Sequence, residues 1–474
     1  MNSIFETIMI VLGWIIFIYM TSVILTYSTM LIIALIQFKK IRNLNVNEQD
    51  DEYIDTMFSK PVSIIVPAYN EEVGIIDSIH SLLSLRYPQT ELIIVNDGST
   101  DGTQDRVIKH FKMRPIHKVV RIQIKTEPIK QIYQSTIHPH LFLIDKENGG
   151  KADALNAGIN LSKHPYFCSI DGDSILDANS LLRVMKPIIM SDGEIIAAGG
   201  NVRIANGLDV QLGSVLGNGL PKNSLILMQI VEYLRAFLMG RIALSKFNLV
   251  LIISGAFSVF SKKYVIEVGG YGRNIIGEDM ELVVHLHRYI KEKKLNKRIE
   301  FVADPDCWTE TPHSLKDLRT QRRRWHQGLI ESLWKHKRMT LNPKYGAIGM
   351  ISFPYFWLVE CLGPIVELIG YIYIIIAFFL GSIYYEFSFL LILLFIIYGS
   401  VFSVASILLE AWTMNVYPKI GDLTKIILIS FTEIFWYKPL TLFFRFEGMI
   451  RFFLGRNDWG KIKRKGLSKE GISK

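Results

Sequence analysis

At 474 residues the chain is too long for one ordinary domain, and half of it is hydrophobic with a mean hydropathy of +0.26. That balance excludes an ordinary soluble protein and points to membrane spans. The net charge of +9 invites a nucleic-acid reading, but much of the excess lies beside apolar segments and in Arg322, Arg323 and Arg324. Positive-inside topology and anionic headgroups account for it there, so no nucleic-acid partner is expected. Cys168, Cys307 and Cys361 are too far apart in sequence for a metal spacing or a disulfide framework.

From Thr7 to Phe38 there is no charged residue. As a helix this stretch rises ~48 Å, more than the ~30 Å hydrocarbon core but too little for two spans and a turn. Residues 7–38 therefore read as one tilted transmembrane helix. A secretory signal would carry Lys or Arg ahead of the apolar run; only Glu6 stands there, while Lys39, Lys40 and Arg42 follow. The positive-inside rule then puts the N-terminus outside and residue 39 onward in the cytoplasm.

Residues 59–339 read as a soluble α/β domain. Residues 61–67 are a β-branched run that opens onto Ala68-Tyr-Asn-Glu71, and residues 75–85 have helical spacing. A second strand at 91–95 closes in Asn96-Asp-Gly-Ser-Thr-Asp-Gly102. Here either Ser99 or Thr100 caps a helix, or Asp97 accepts a hydrogen bond from a nucleotide base or ribose. No Glu stands where a calcium loop needs its twelfth ligand. The basic stretch 113–135, with Lys118, Arg121, Lys125 and Lys130, holds strand-like runs such as 119–124. It reads as a solvated or membrane-facing excursion with no chemical role. A third strand at 141–144 precedes a Gly-Gly turn and a helix over 151–160, and a fourth at 166–170 ends at Asp171-Gly-Asp173. Alternating strands and helices predict a mostly parallel sheet with helices on both faces. Ligands then bind beyond the carboxyl ends of its strands, where these polar clusters fall.

Asp171 and Asp173, two carboxylates on a loop after an apolar strand, suit a hard cation bridging to phosphate, Mg²⁺ or Mn²⁺. The same pattern is also ordinary turn chemistry. Gly277-Glu-Asp279 opens a helical stretch, where the helix dipole alone is reason enough for Asp279. That position also leaves a carboxylate ionised, as a base for a sugar hydroxyl requires. Three consecutive arginines usually mark a solvated face or an inner-leaflet anchor. In Gln321-Arg-Arg-Arg-Trp325 they are bracketed by an amide and an indole. Arg324 suits a diphosphate and Trp325 offers a flat face to a sugar ring. No Walker loop, Ser-His-Asp arrangement or His/Cys metal set accompanies them, and His285 and His287 face different sides of a helix.

Residues 345–455 form a second apolar region. Residues 368–385 and 387–409 make a hairpin of spans. The segment 426–444 contains Glu433 and Lys438, each costing ~2.5–3.5 kcal/mol at a helix centre. It is either a span with those charges facing protein or an interfacial helix. Glu360 and Glu367, on one helical face, either line a polar lumen or pair with lysines. The basic tail 456–474 favours the inside, hence an even number of crossings after the soluble domain, with two or three spans plus interfacial helices.

Asp97, Asp171-x-Asp173, Glu278-Asp279 and Gln321-x-x-Arg324-Trp325 occur in this order over residues 61–325, between membrane segments. Together they resemble the processive members of glycosyltransferase family 2, the cellulose, hyaluronan and poly-N-acetylglucosamine synthases. The resemblance implies a GT-A type nucleotide-sugar-binding domain inserted between transmembrane helices. It implies a UDP-sugar donor held by Tyr69, Glu71, Asp97, Lys151, Asp171, Gln321 and Arg324, with Mg²⁺ or Mn²⁺ on Asp171 and Asp173. Asp279, with Glu278 beside it, is the implied base, and the anomeric carbon is inverted. Ser254-Gly-Ala-Phe257 matches the family's acceptor lining, so Ser254, Gly255, Phe257 and Trp325 are expected against the acceptor. This chain has Gly-Glu-Asp279 where many relatives have Thr-Glu-Asp, which leaves the roles undisturbed. No cyclic-dinucleotide-binding domain is read after the spans, so that regulation is not expected. The expected protein is a multi-pass cell-membrane enzyme with a cytoplasmic catalytic domain, extending a polysaccharide or glycolipid acceptor at the bilayer. Coupling to export and an export partner are part of that expectation, and family analogy prefers N-acetylglucosamine. The alternatives are transfer of one sugar to a lipid-linked acceptor, or a silent subunit that binds nucleotide sugar or polysaccharide.

Overall fold

The computed structural model describes residues 3–45, 59–207, 209–211, 214–217, 219–380, 385–413 and 419–455. The basic tail expected at 456–474 lies outside them. The first element is a helix, Ser3–Asn45. Met9, Ile16, Met20, Val23, Met30, Ala34 and Phe38 are buried along it, while Ile8, Val11, Ile15, Ile18, Leu25, Ile32 and Ile36 stay exposed. An apolar helix with one packed face and an apolar outer face suits a bilayer.

Twelve strands follow among the described residues: β1 Val62–Ala68, β2 Thr90–Asp97, β3 Met113–Ile116, β4 Ile129–Ser135, β5 Leu141–Lys146, β6 Tyr166–Ile170, β7 Ile175–Leu176, β8 Ile195–Ile204, β9 Asp209–Gln211, β10 Ser214–Gly217, β11 Phe257–Ser261 and β12 Arg298–Thr309. Ten build one sheet in the order β3-β4-β5-β2-β1-β6-β11-β8-β12-β7, and β9 and β10 form a separate hairpin. The centre is parallel, with β1 between β2 and β6 and β5 outside β2. These strands are buried on both faces, so they read as unbroken runs such as Val-Ser-Ile-Ile-Val in β1.

The flanks depart from the parallel expectation. β11 is antiparallel to both neighbours, and β4 is antiparallel to both β3 and β5. Residues 136–140 alone separate β4 from β5, too few for the crossover that a parallel pair requires. The stretch 113–135 is therefore the edge of the sheet, which corrects its reading as a solvated excursion. Its strand-like run 119–124 forms no strand, because Val119 is 97% and Ile122 75% exposed with no neighbouring ladder to join.

Among the described residues, three helices are long and apolar enough to cross a membrane: Ile4–Lys40, Ile348–Phe379 and Ser388–Thr413. The segment 426–444 is divided between helices Ile420–Ser430 and Tyr437–Phe453. Its charges face protein. Glu433 receives the Arg235 guanidinium at 2.8 Å and the Ser403 hydroxyl at 2.8 Å, and Lys438 Nζ lies 2.8 Å from Glu367. Glu360 and Glu367 lie in different stretches of the apolar segment. A π-helical turn, Phe356–Cys361, ends before helix Gly363–Leu380 begins, and Glu360 accepts from Tyr355 Oη at 2.8 Å.

Candidate active site

The parallel strands stop at Ala68, Asp97, Lys146 and Ile170, and the loops that leave them diverge around a cleft of about 680 Å³. Tyr69, Glu71, Asp97, Lys151, Asp171, Asp173 and Arg324 all line it. Seven residues singled out from sequence thus meet in one place. Tyr69 is half exposed, so its ring is available to a planar ligand.

Asp97 ends β2 almost fully buried. Its Oδ1 lies 2.6 Å from Lys146 Nζ and accepts from Gly149 N at 3.0 Å, and its Oδ2 accepts from Gly150 N at 2.7 Å. Gly150 has φ +87°, a conformation that only glycine adopts freely. Asp97 therefore lines the cleft and braces the turn that delivers Lys151. Ser99 and Thr100 cap no helix here. Ser99 Oγ accepts from Asn70 N at 3.1 Å, and Thr100 N donates to Asn70 Oδ1 at 2.8 Å.

Lys151 heads helix Lys151–Leu161 and joins two halves of the site. Its Nζ is 2.5 Å from Asp171 Oδ1 and 3.6 Å from Glu278 Oε1. Burial opposes its charge, but Asp171, Glu278 and Asp279 outweigh that and raise the ammonium above its usual range. Glu278 is nearly buried at the start of helix Glu278–Glu292. Burial pushes its carboxyl up to about 7, against the pull of Lys151 and with the help of Asp279. Asp279 Oδ1 accepts from Met280 N at 2.9 Å.

The loop before β11 closes on the same point, with Asp171 N donating to Ala256 O at 3.4 Å. Gly255 leaves room there for the Asp279 carboxylate, because a Cβ on it would lie 2.6 Å from Asp279 Oδ2. Its neighbours are turned inward. Ser254 Oγ accepts from Ala256 N at 3.2 Å, and the Phe257 ring is fully buried against Gly200 in the sheet core. Full burial leaves Phe257 no open face for an acceptor, which corrects its expected place in the acceptor lining.

Helix Leu315–Lys335, capped by Ser314, carries Gln321-Arg-Arg-Arg-Trp325. Successive residues turn by ~100°, so the three arginines part company. Arg322 is fully buried, 2.6 Å from Glu232, with its cation 4.3 Å from the Trp325 ring centroid and its Nη1 donating to Gln321 Oε1 at 2.8 Å. Arg323 reaches Glu447 at 3.2 Å, and Arg324 lines the cleft. Trp325 is 47% exposed, next to Tyr233. Sequence reasoning missed Arg322 and its partner Glu232, 90 residues away, because no local signal links them. It also missed Glu310, which lines the cleft from just beyond β12.

Among the described residues, no three or more His, Cys, Asp or Glu side chains gather to hold a metal. Asp171 and Asp173 are instead a two-carboxylate pair opening onto the cleft. Such an open oxygen set fits a Mg²⁺ or Mn²⁺ ion that takes its remaining ligands from phosphate and water.

Residues 60–328 match the family described as "Glycosyltransferase like family 2". The poly-β-1,6-N-acetyl-D-glucosamine synthase of Staphylococcus aureus is 29% identical over 313 residues, 65% of this chain and 64% of that protein. The synthase of the same name from Staphylococcus epidermidis is 29% identical over 294 residues, 62% of this chain and 60% of that protein. The chain thus spans less than two thirds of the length of these curated relatives. A solved mannosyltransferase from Pyrobaculum calidifontis, in complex with GDP-Man and Mn²⁺, aligns with TM-score 0.53 and 17% identity over 90% of this chain and 99% of that one. That likeness is one of fold, and the fold is of the GT-A type. With residues 60–328, more than half of its length, matched to that family, the chain belongs to glycosyltransferase family 2.

Proposed function

We propose that this protein is a membrane-embedded, inverting, metal-dependent glycosyltransferase that moves a sugar from a UDP-sugar to a growing polysaccharide. The name of the curated relatives favours N-acetylglucosamine as that sugar. The observation that carries the reading is the placement of Lys151, 2.5 Å from Asp171 and 3.6 Å from Glu278. One side chain touches both the loop suited to a diphosphate and the helix that bears the base.

The donor nucleotide lies against Tyr69, Glu71 and Asp97, and its diphosphate faces Lys151, Arg324 and the Asp171-Gly-Asp173 loop. A divalent ion on Asp171 and Asp173, when bound, supplies positive charge to the departing phosphate. Asp279 accepts the proton of the acceptor hydroxyl while that oxygen forms a bond to the anomeric carbon. The bond from that carbon to the diphosphate oxygen breaks with its electron pair, UDP leaves, and the single displacement inverts the centre. Lys151 and Arg324 balance the charge that develops on UDP. Gly255 and Trp325 face the acceptor sugar. Lys39, Lys40 and Arg42 support a cytoplasmic catalytic domain on a multi-pass cell-membrane protein, with the polymer leaving through the bilayer.

The test is UDP release and product size with purified protein, UDP-N-acetylglucosamine and Mn²⁺. Polymer is expected, and Asp279→Asn abolishes it while UDP still binds. Chelation of divalent ions stops turnover, and Mn²⁺ or Mg²⁺ restores it. Turnover that survives Asp279→Asn or chelation refutes the mechanism. Products of one sugar move the reading to single transfer, and absence of UDP release from any UDP-sugar to a silent binding subunit.

A further inference from the structure

Helix Lys151–Leu161 carries Asp153, Asn156 and Asn160, all buried and all on one stripe of the helix. Buried polar groups require partners, and each of the three holds a different stretch of chain. Asn160 Oδ1 accepts from Gln123 N and Ile124 N, both at 3.0 Å, and its amide donates to Ile124 O at 2.7 Å. Asn156 accepts from Tyr271 N and donates to Tyr271 O, both at 2.9 Å. Asp153 accepts from Glu127 N at 3.1 Å and pairs with Arg273 Nε at 2.8 Å and Lys146 Nζ at 2.7 Å. The stripe therefore fastens the basic stretch around 123–127, which the proposed chemistry does not use, and the loop 271–277 that runs into Glu278 and Asp279. It does so on the helix that begins with Lys151.

The charges connect without a gap. Arg273 meets Asp153, Asp153 meets Lys146, and Lys146 meets Asp97, whose two oxygens hold Gly149 N and Gly150 N. The Lys146 and Asp153 side chains are 0% exposed, so water is no substitute partner. The turn lies directly on this network, since a Cβ on Gly149 would fall 2.6 Å from Asp153 Cγ. At its outer end Arg273 also pairs with Glu127.

We infer that Arg273 and Asp153 are positioning residues, tying the loop that presents Glu278 and Asp279 to the turn that presents Lys151. Seating of the donor turn and placement of the base then depend on one chain of charges, buried at Asp153, Lys146 and Asp97 and half-buried at Arg273. This rests on the proposed reading of the cleft as donor site and of Asp279 as base.

The test begins with hydrogen exchange of the ligand-free full chain, which needs no donor. Arg273→Gln should speed exchange of residues 271–277 and also of 149–151, each by about tenfold. Faster exchange confined to 271–277 overturns the linkage. In turnover with UDP-N-acetylglucosamine, Arg273→Gln should lower kcat by ~10-fold or more while KM stays within about twofold. Arg273→Lys, which keeps a donor for Asp153, should recover most of that loss. A KM rise matching the kcat loss, or no recovery in Arg273→Lys, overturns the positioning role. Should Arg273→Gln not fold, Glu127→Gln removes only the outer partner and should show the same exchange pattern at smaller size; wild-type exchange at both segments overturns the proposal. Wild-type protein that releases no UDP refutes the proposed function, and the exchange comparison still decides the linkage.

Discussion

Replacing Gly255 by alanine puts a methyl group where the Asp279 carboxylate now sits. The new Cβ would lie 2.6 Å from Oδ2, 3.2 Å from Cγ and 3.4 Å from Cβ of Asp279. Carbon and oxygen in ordinary contact stay about 3.3 Å apart, so Oδ2 must retreat by roughly 0.7 Å. Gly255 is not among the glycines with positive φ, so alanine meets no backbone strain. The clash is with a rotatable side chain, which keeps the stability loss near the ~1 kcal/mol low end of overpacking costs. Catalysis is less forgiving. A misplacement of ~1 Å costs ~100-fold, so this shift predicts a kcat lower by ~10–100-fold, or ~1.4–2.7 kcal/mol of barrier. Tyr69, Asp97 and Lys151 are untouched, so UDP affinity should hold. The assay is UDP release at saturating UDP-N-acetylglucosamine, beside UDP binding by calorimetry and the thermal midpoint. A Gly255→Ala protein with kcat within about twofold of wild type would refute the placement of Asp279 as base.

Glu278 makes stability depend on pH. Its carboxyl titrates at about 7 in the folded protein against an ordinary 4.5, so between those values the folded state binds more protons than the unfolded chain. Stability therefore falls as pH rises through that window, by up to ~3 kcal/mol. From pH 5 to pH 8 the thermal midpoint of wild type should drop further than that of Glu278→Gln, and parallel curves would count against burial as the cause. Arg322→Gln leaves Glu232, whose side chain is only 12% exposed, with Arg445 and Tyr437 still in reach. It should cost stability toward the low end of the ~3–5 kcal/mol range for broken buried pairs. Trp325→Ala, at a half-exposed position, should leave the thermal midpoint nearly unchanged but shorten the polymer. Equal destabilisation by the two variants would contradict their different burial.

The sequence by itself determined the features that short stretches of chain encode. Apolar runs mark the first helix and the later spans because bilayer thickness demands a length. The β-branched runs of β1, β2, β5 and β6 mark a buried parallel centre, so the clusters that follow them lie at one end of a sheet. Asp97, Asp171 and Asp173 were legible for that reason, Arg324 through its setting between Gln321 and Trp325, and Lys151 through the family resemblance. Only tertiary structure decided which partner each charge would take. Arg322, Arg323 and Arg324 are identical in local context, yet helical rotation buries one against Glu232 and sends one to Glu447 and one to the cleft. Arg235 meets Glu433 across 198 residues, and Lys438 meets Glu367. Phe257 resembles an acceptor contact in sequence but faces Gly200 in the core. The stretch 113–135, with no periodicity that settles its place, became a sheet edge because β5 offered an open ladder and Asn160 and Asp153 held its loop. A charge pairs with whatever packing brings within about 3 Å, and at these separations along the chain packing is a property of the whole fold.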